Sequence, residues 1–305
     1  MPTRSRLCMR GGAAVAVLAA SWAMIAASFG AGPADAQGAA SARRERRREN
    51  IEYRPPVGAE YALAASMKGE VAGSDISAES AFHTIVERID KDGLVYARMH
   101  LTPGKCQAGS GVYDTDTGAE WMAVFDSRHI LQRVELITPP REGQVGADEV
   151  LDLASVMMYV FFSVAYHVRS AGVGTVWNAD YSTIDMNGRK LYVHEKSRLV
   201  RFLWEGDRRV ALIESTCDVP IRARLRGVQV AGTVNSRIVS EVYVDTGEIR
   251  YRRSVGDGPL TARAGGFSVD IDVDDLVSVL RATTPDGRPV EPLDPESFAD
   301  KEHEE

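Results

Sequence analysis

The sequence predicts an α+β protein: a mostly antiparallel, curved β-sheet, possible as two β halves, packed on one long central apolar helix. Three observations lead there. Short β-rich runs punctuated by Gly, Pro and Asp turns fill the chain from about residue 60 to residue 138 and again from about residue 183 to residue 273. The stretch between them, Gly146 to Gly172, is the longest apolar run outside the N-terminus. The region from 53 to 284 is long enough to bury one large core as a single globular domain.

The helix is expected at about 147–170. Asp148, Glu149 and Asp152 gather at its start and His167 and Arg169 near its end, the charge order that a helix dipole favours. Gly172 is a natural stop. Asp152, Ser155, Tyr159, Ser163 and Tyr166 or His167 recur at spacings of three and four, a narrow polar stripe on an apolar cylinder. That stripe suits a core helix better than a membrane span. Met157, Met158, Phe161 and Phe162 are its candidate residues for lining a ligand cavity.

In chain order, residues 1–36 read as a secretory signal peptide. Arg4, Arg6 and Arg10 precede an apolar run from Ala13 to Ala27, and Ala34-Asp35-Ala36 offers a cleavage site before Gln37. Cys8 lies before the apolar run, so no lipidated cysteine follows cleavage, and a periplasmic or extracellular protein without a lipid anchor is expected. Residues 37–52 form a basic arm, expected to be disordered, whose run from Arg43 to Arg48 could touch an anionic surface. Strands are expected at 60–67, 81–89, 94–101, 121–125 and 130–137. The turn Asp90-Lys91-Asp92-Gly93 makes the second and third a hairpin, with His83 facing His100. Gln107 to Gly111 is expected as a loop. After the helix come strands at 183–185, 190–194, 199–204, 209–214, 222–230, 237–244, 249–253 and 267–273, with a short helix at 276–281 capped by Asp274-Asp275. The Pro-rich, then acidic stretch 285–305 is expected to be a disordered tail.

The whole chain carries a net charge of −7, and loss of the leader removes more Arg than Asp, so the body is more acidic still. A nucleic-acid-binding role is excluded on that ground. Cys106 and Cys217 remain after cleavage, and in an oxidising compartment they are expected to form a disulfide. No Cys-x-x-Cys pair, His triad, phosphate loop or nucleophile elbow is present, so no catalytic residue, metal or cofactor is assigned.

Two Asp-Thr-Gly triplets, Asp116-Thr117-Gly118 and Asp245-Thr246-Gly247, resemble those of the aspartic proteases, a resemblance that would imply a carboxylate dyad sharing one proton. Ala119 and Glu248 stand where the two-lobed enzymes carry Ser or Thr, and a tight hairpin turn explains the second triplet. Asp270 to Asp275 resembles the start of a calcium-binding EF-hand loop but lacks its glycine and its closing glutamate; Asp275 and Arg281 stand there. A sheet wrapped on one helix is similar at the level of architecture to the half-barrel periplasmic lipoprotein carriers, which leave an apolar cavity between the two. That resemblance implies an exported, non-enzymatic binding protein for an apolar small molecule or lipid. A structural envelope protein without a ligand is the alternative, and an aspartic-type hydrolase the remote one.

Overall fold

The computed structural model describes residues 48–71, 74–102, 104–108, 111–114, 118–139, 161–162, 164–166, 170–184, 190–225 and 228–298. The expected signal peptide, most of the basic arm, Met157, Met158, Asp116 and most of the expected helix lie outside these residues.

Thirteen strands follow one another: β1 (Glu60–Val71), β2 (Ser74–Ile89), β3 (Val95–Leu101), β4 (Lys105–Ala108), β5 (Gly111–Asp114), β6 (Glu120–Phe125), β7 (Leu131–Thr138), β8 (Val176–Ile184), β9 (Lys190–Glu205), β10 (Arg208–Leu225), β11 (Val228–Tyr243), β12 (Ile249–Ala264) and β13 (Phe267–Ala282). All belong to one antiparallel sheet, whose main path runs β7-β6-β3-β2-β1-β13-β12-β11-β10-β9-β8. The small hairpin β4–β5 attaches to the side of β2.

This corrects the expected fold class. The described residues form an almost purely β protein, and the long central helix is not among their elements; only Phe161 and Phe162 of them are α-helical. The reason is physical. The buried apolar surface of the described residues is spread over alternate positions of strands reaching 16–18 residues rather than gathered on one helix. Such strands are about 55 Å long, so their inner positions alone supply nearly half of the described core.

The long strands also correct several local expectations. Leu276–Arg281 is not a helix but the second half of β13. Asp275, read as a cap, takes φ 46° and makes a bulge where Gly69 and Gly256 cross it. The expected strand at 222–230 is instead the end of β10, a connection and the start of β11. The expected loop at 107–111 contributes to the paired strands β4 and β5. The hairpin of β2 and β3 forms as expected, with Asp90 accepting from the amides of Asp92 and Leu94, and His83 opposite His100.

The two edge strands, β7 and β8, are neighbours in sequence and approach each other in space. The sheet therefore curls round on itself. No ladder joins those edges among the described residues. Val164, Ala165 and Tyr166 occupy the seam instead. The amide of Tyr166 donates to the carbonyl of Arg128 beside β7, and the Trp177 indole of β8 donates to the carbonyl of Ala165. Ile130, Ala165 and Ala179 pack together there.

The chain ends are also tied in. Glu49 pairs with Ala171 through the backbone, and Ile51 is fully buried. Residues 285–298, expected as a disordered tail, lie across the outer face of the sheet and end in a 3-10 turn, Pro295–Phe298, with Phe298 buried. Residues 299–305 lie outside the described residues.

Candidate ligand-binding interior

Strand periodicity fixes what faces inward. On β10, Ala211, Ile213, Cys217, Val219 and Ile221 point to one face, and on β11 so do Val230, Val234, Ile238 and Val242. These join Phe82 of β2, Met99 of β3, Trp121 of β6 and Leu280 of β13 in one apolar cluster. Phe161 and Phe162, expected to line a ligand cavity, are buried members of this cluster. Phe82 meets both rings edge-on, at 5.6 and 5.5 Å between centroids.

Set into the apolar interior is a polar group that alternation alone does not reveal. Glu195 of β9 is 3% exposed. Its carboxylate accepts from the amide of Ala165 at 2.8 Å and from the Ser197 hydroxyl at 2.5 Å. The Ser197 and Ser215 hydroxyls meet at 2.7 Å. No cation is within hydrogen-bond reach of Glu195 among the described residues, and burial pushes its carboxyl up to about 7.

Arg252 of β12 is the second member, 2% exposed. Its Nε donates to Ser240 Oγ at 2.9 Å and one terminal nitrogen, Nη1, donates to the carbonyl of Phe161 at 2.7 Å. Nη2 has no partner. Beside it, the rings of Phe125, His129 and Tyr166 form a stack, with centroids 4.9 and 5.0 Å apart and planes within 8° of parallel. His129 sits at φ 62°, buried, in the turn before β7. Burial, and then the nearby Arg252 charge, hold its imidazole well below the ordinary range, so it is neutral. Among the described residues His129 Nδ1 has no partner, and the Tyr166 hydroxyl has none at full hydrogen-bond geometry, although it interacts with the Arg252 guanidinium.

Cys217 is a buried thiol on the inner face of β10, free among the described residues, and the expected bridge to Cys106 falls outside them. Burial raises its pKa, which makes it a poor nucleophile. The side chain of Cys106 lies outside the described residues. Asp245 stands in the β11–β12 turn, where Gly247 takes φ 71° and Asp245 pairs with Arg208. The turn reading therefore accounts for that triplet, while Asp116 lies outside the described residues. No group of three or more potential metal ligands occurs among the described residues, and no described helix is long and apolar enough to cross a membrane.

No protein-family model matches the sequence, and a search of curated proteins finds no match.

Proposed function

We propose that this protein is an exported, non-enzymatic binding protein that holds an apolar, lipid-like molecule against the inner face of its curled sheet. One observation carries the reading: the inner face is apolar along strands of 16–18 residues, yet it encloses a buried, incompletely partnered polar group near the seam between β7 and β8. A long apolar wall with a few convergent polar atoms is the usual form of a site for an amphiphilic small molecule. That polar group lies beside the seam, where no ladder joins β7 to β8 among the described residues.

A core filled by the chain itself, in a structural protein of the envelope, is the competing reading. The close packing of Phe161 and Phe162 on Phe82 favours it. Native mass spectrometry of the protein purified from its own envelope separates the two. A bound mass that organic extraction releases as a lipid is the expected result. The bare protein mass, with no uptake of lipid on incubation with vesicles, overturns the binding reading in favour of the filled core. The same spectrum reports whether Gln37 is the first residue.

A further inference from the structure

The interior contains a charge whose hydrogen-bonding demand is unmet. A guanidinium taken fully out of water is costly unless it is paired and hydrogen-bonded. Arg252 is buried, and the two oxygens that it donates to, Ser240 Oγ and the carbonyl of Phe161, are both neutral. No described carboxylate forms an ion pair with it. Glu195 acts on it only through its field, since the Glu195 oxygens are committed to Ala165 and Ser197.

Among the described residues three polar atoms of one cluster have no partner at full hydrogen-bond geometry: Arg252 Nη2, the Tyr166 hydroxyl and His129 Nδ1; the phenol and the guanidinium interact with each other, but neither brings the negative charge that the guanidinium lacks. His129 and Tyr166 stack face to face, and the Arg252 charge acts on both. Arg252 can only donate, the phenol can donate, and a neutral imidazole donates from one nitrogen. A cation would be repelled by the guanidinium, and an apolar group would leave all three atoms unsatisfied. Oxygens bearing negative charge satisfy them best, through charge-assisted hydrogen bonds.

We propose that Arg252, the Tyr166 hydroxyl and His129 form the seat for an anionic oxygen head, carboxylate or phosphate, of an amphiphile whose chain lies along the apolar inner face. The inference rests on the binding reading above and adds to it the charge and position of the head. It also assigns work to residues that hydrophobic patterning passes over.

The test uses probes of matched chain and different head. The mature protein is titrated calorimetrically, below the micelle concentrations, with oleate, oleoyl-lysophosphatidylglycerol and oleyl alcohol. At least one anion is expected to bind tenfold or more tighter than the alcohol, and the tighter anion identifies the head as carboxylate or phosphate. Arg252→Met should bring the anions to within about twofold of the alcohol. Tyr166→Phe, which removes a single oxygen, should narrow the gap about threefold and keeps the test open if Arg252→Met does not fold. Equal binding of all three probes by the unaltered protein overturns the anion seat and leaves the binding reading standing. Binding of none overturns both.

Discussion

Glu195 shows how a single residue links the seam to the interior. It lies on β9, but its acceptor capacity is used by the amide of Ala165 and by Ser197, so it ties the segment closing the seam to the inner wall. Its carboxyl titrates near 7 in the folded protein, against an ordinary value of 4.5, with burial as the main cause. Because the folded state holds this proton more tightly than the unfolded state, the associated stability is complete below pH about 4.5 and is lost as pH rises through about 7. Glu195→Gln should remove that component, on the order of 3 kcal/mol between pH 4.5 and pH 8. Urea denaturation at pH 5 and pH 8 checks it: the variant should show a smaller difference between the two midpoints than the unaltered protein. An unchanged difference would mean that Glu195 is ionised throughout. This residue was not legible in the sequence. Glu195 to Arg198 fall between the expected strands 190–194 and 199–204, and Arg252 within the expected strand 249–253, with no role assigned to either. Only the register of β9 against β10, and of β11 against β12, turns them inward.

At the scale of elements, the sheet bends along a line of glycines. Gly256 and Gly258 on β12 and Gly69 on β1 lie at register shifts, Gly232 on β11 lies where the β11–β12 pairing is interrupted before Asn235, and Asp275 makes the β13 bulge. A Cβ at Gly232 would stand 2.4 Å from the carbonyl oxygen of Pro259, and one at Gly69 2.9 Å from the Cα of Leu276. Neighbouring strands therefore approach closer than any side chain allows, which lets a sheet of this width curl. Gly232→Ala should cost about 2 kcal/mol or more, because backbone must move. Gly93→Ala, at a turn with φ 81° and open space, should cost only about 1 kcal/mol. Thermal denaturation of the two variants side by side checks the order, and equal losses would remove the bend line as an explanation. Sequence reading found the turns at 90–93, 205–207 and 245–248 because their chemistry is local. It broke β9 and β10 into short pieces because Glu195, Ser197, Ser215 and Asp218 interrupt the apolar alternation. It made a helix of 276–281 because an Asp pair before an apolar run is also a cap signal, and nothing local distinguishes a cap from a bulge. Glycines as far apart as 69 and 232 cannot be seen to align until the register is known.

At the scale of the whole molecule, the chain closes on itself through long-range pairing. β1 pairs with β13, so Leu63 lies opposite Ala282, and the two halves of the sequence meet as one continuous sheet. A sheet with one face turned inward must still protect the other, and the C-terminal segment does so where β10, β11 and β12 run side by side. Arg250, 4% exposed, donates from Nη1 to Glu241 at 2.6 Å and to the carbonyl of Glu291 at 2.7 Å, and from Nη2 to Glu205 at 2.8 Å. Glu241 also accepts from the amides of Leu293 and Asp294, and Arg201 pairs with Asp294. Phe298 then meets Tyr251 edge-on at 4.6 Å beside Leu212. The polar pair Arg250–Glu241 is thus buried only while the segment lies on it. Phe298→Ala should cost about 3 kcal/mol, the usual loss for a buried aromatic truncated to alanine. Ending the chain after Thr284 should cost more, since it also strips partners from a buried ion pair. Denaturant unfolding of both variants supplies the magnitudes, and hydrogen exchange should show faster amide exchange in β10 to β12 with β2 and β3 unchanged. If the shortened chain unfolds at the same denaturant concentration as the full one, the segment contributes nothing to the sheet, and the outer face of β12 is stable in water without it.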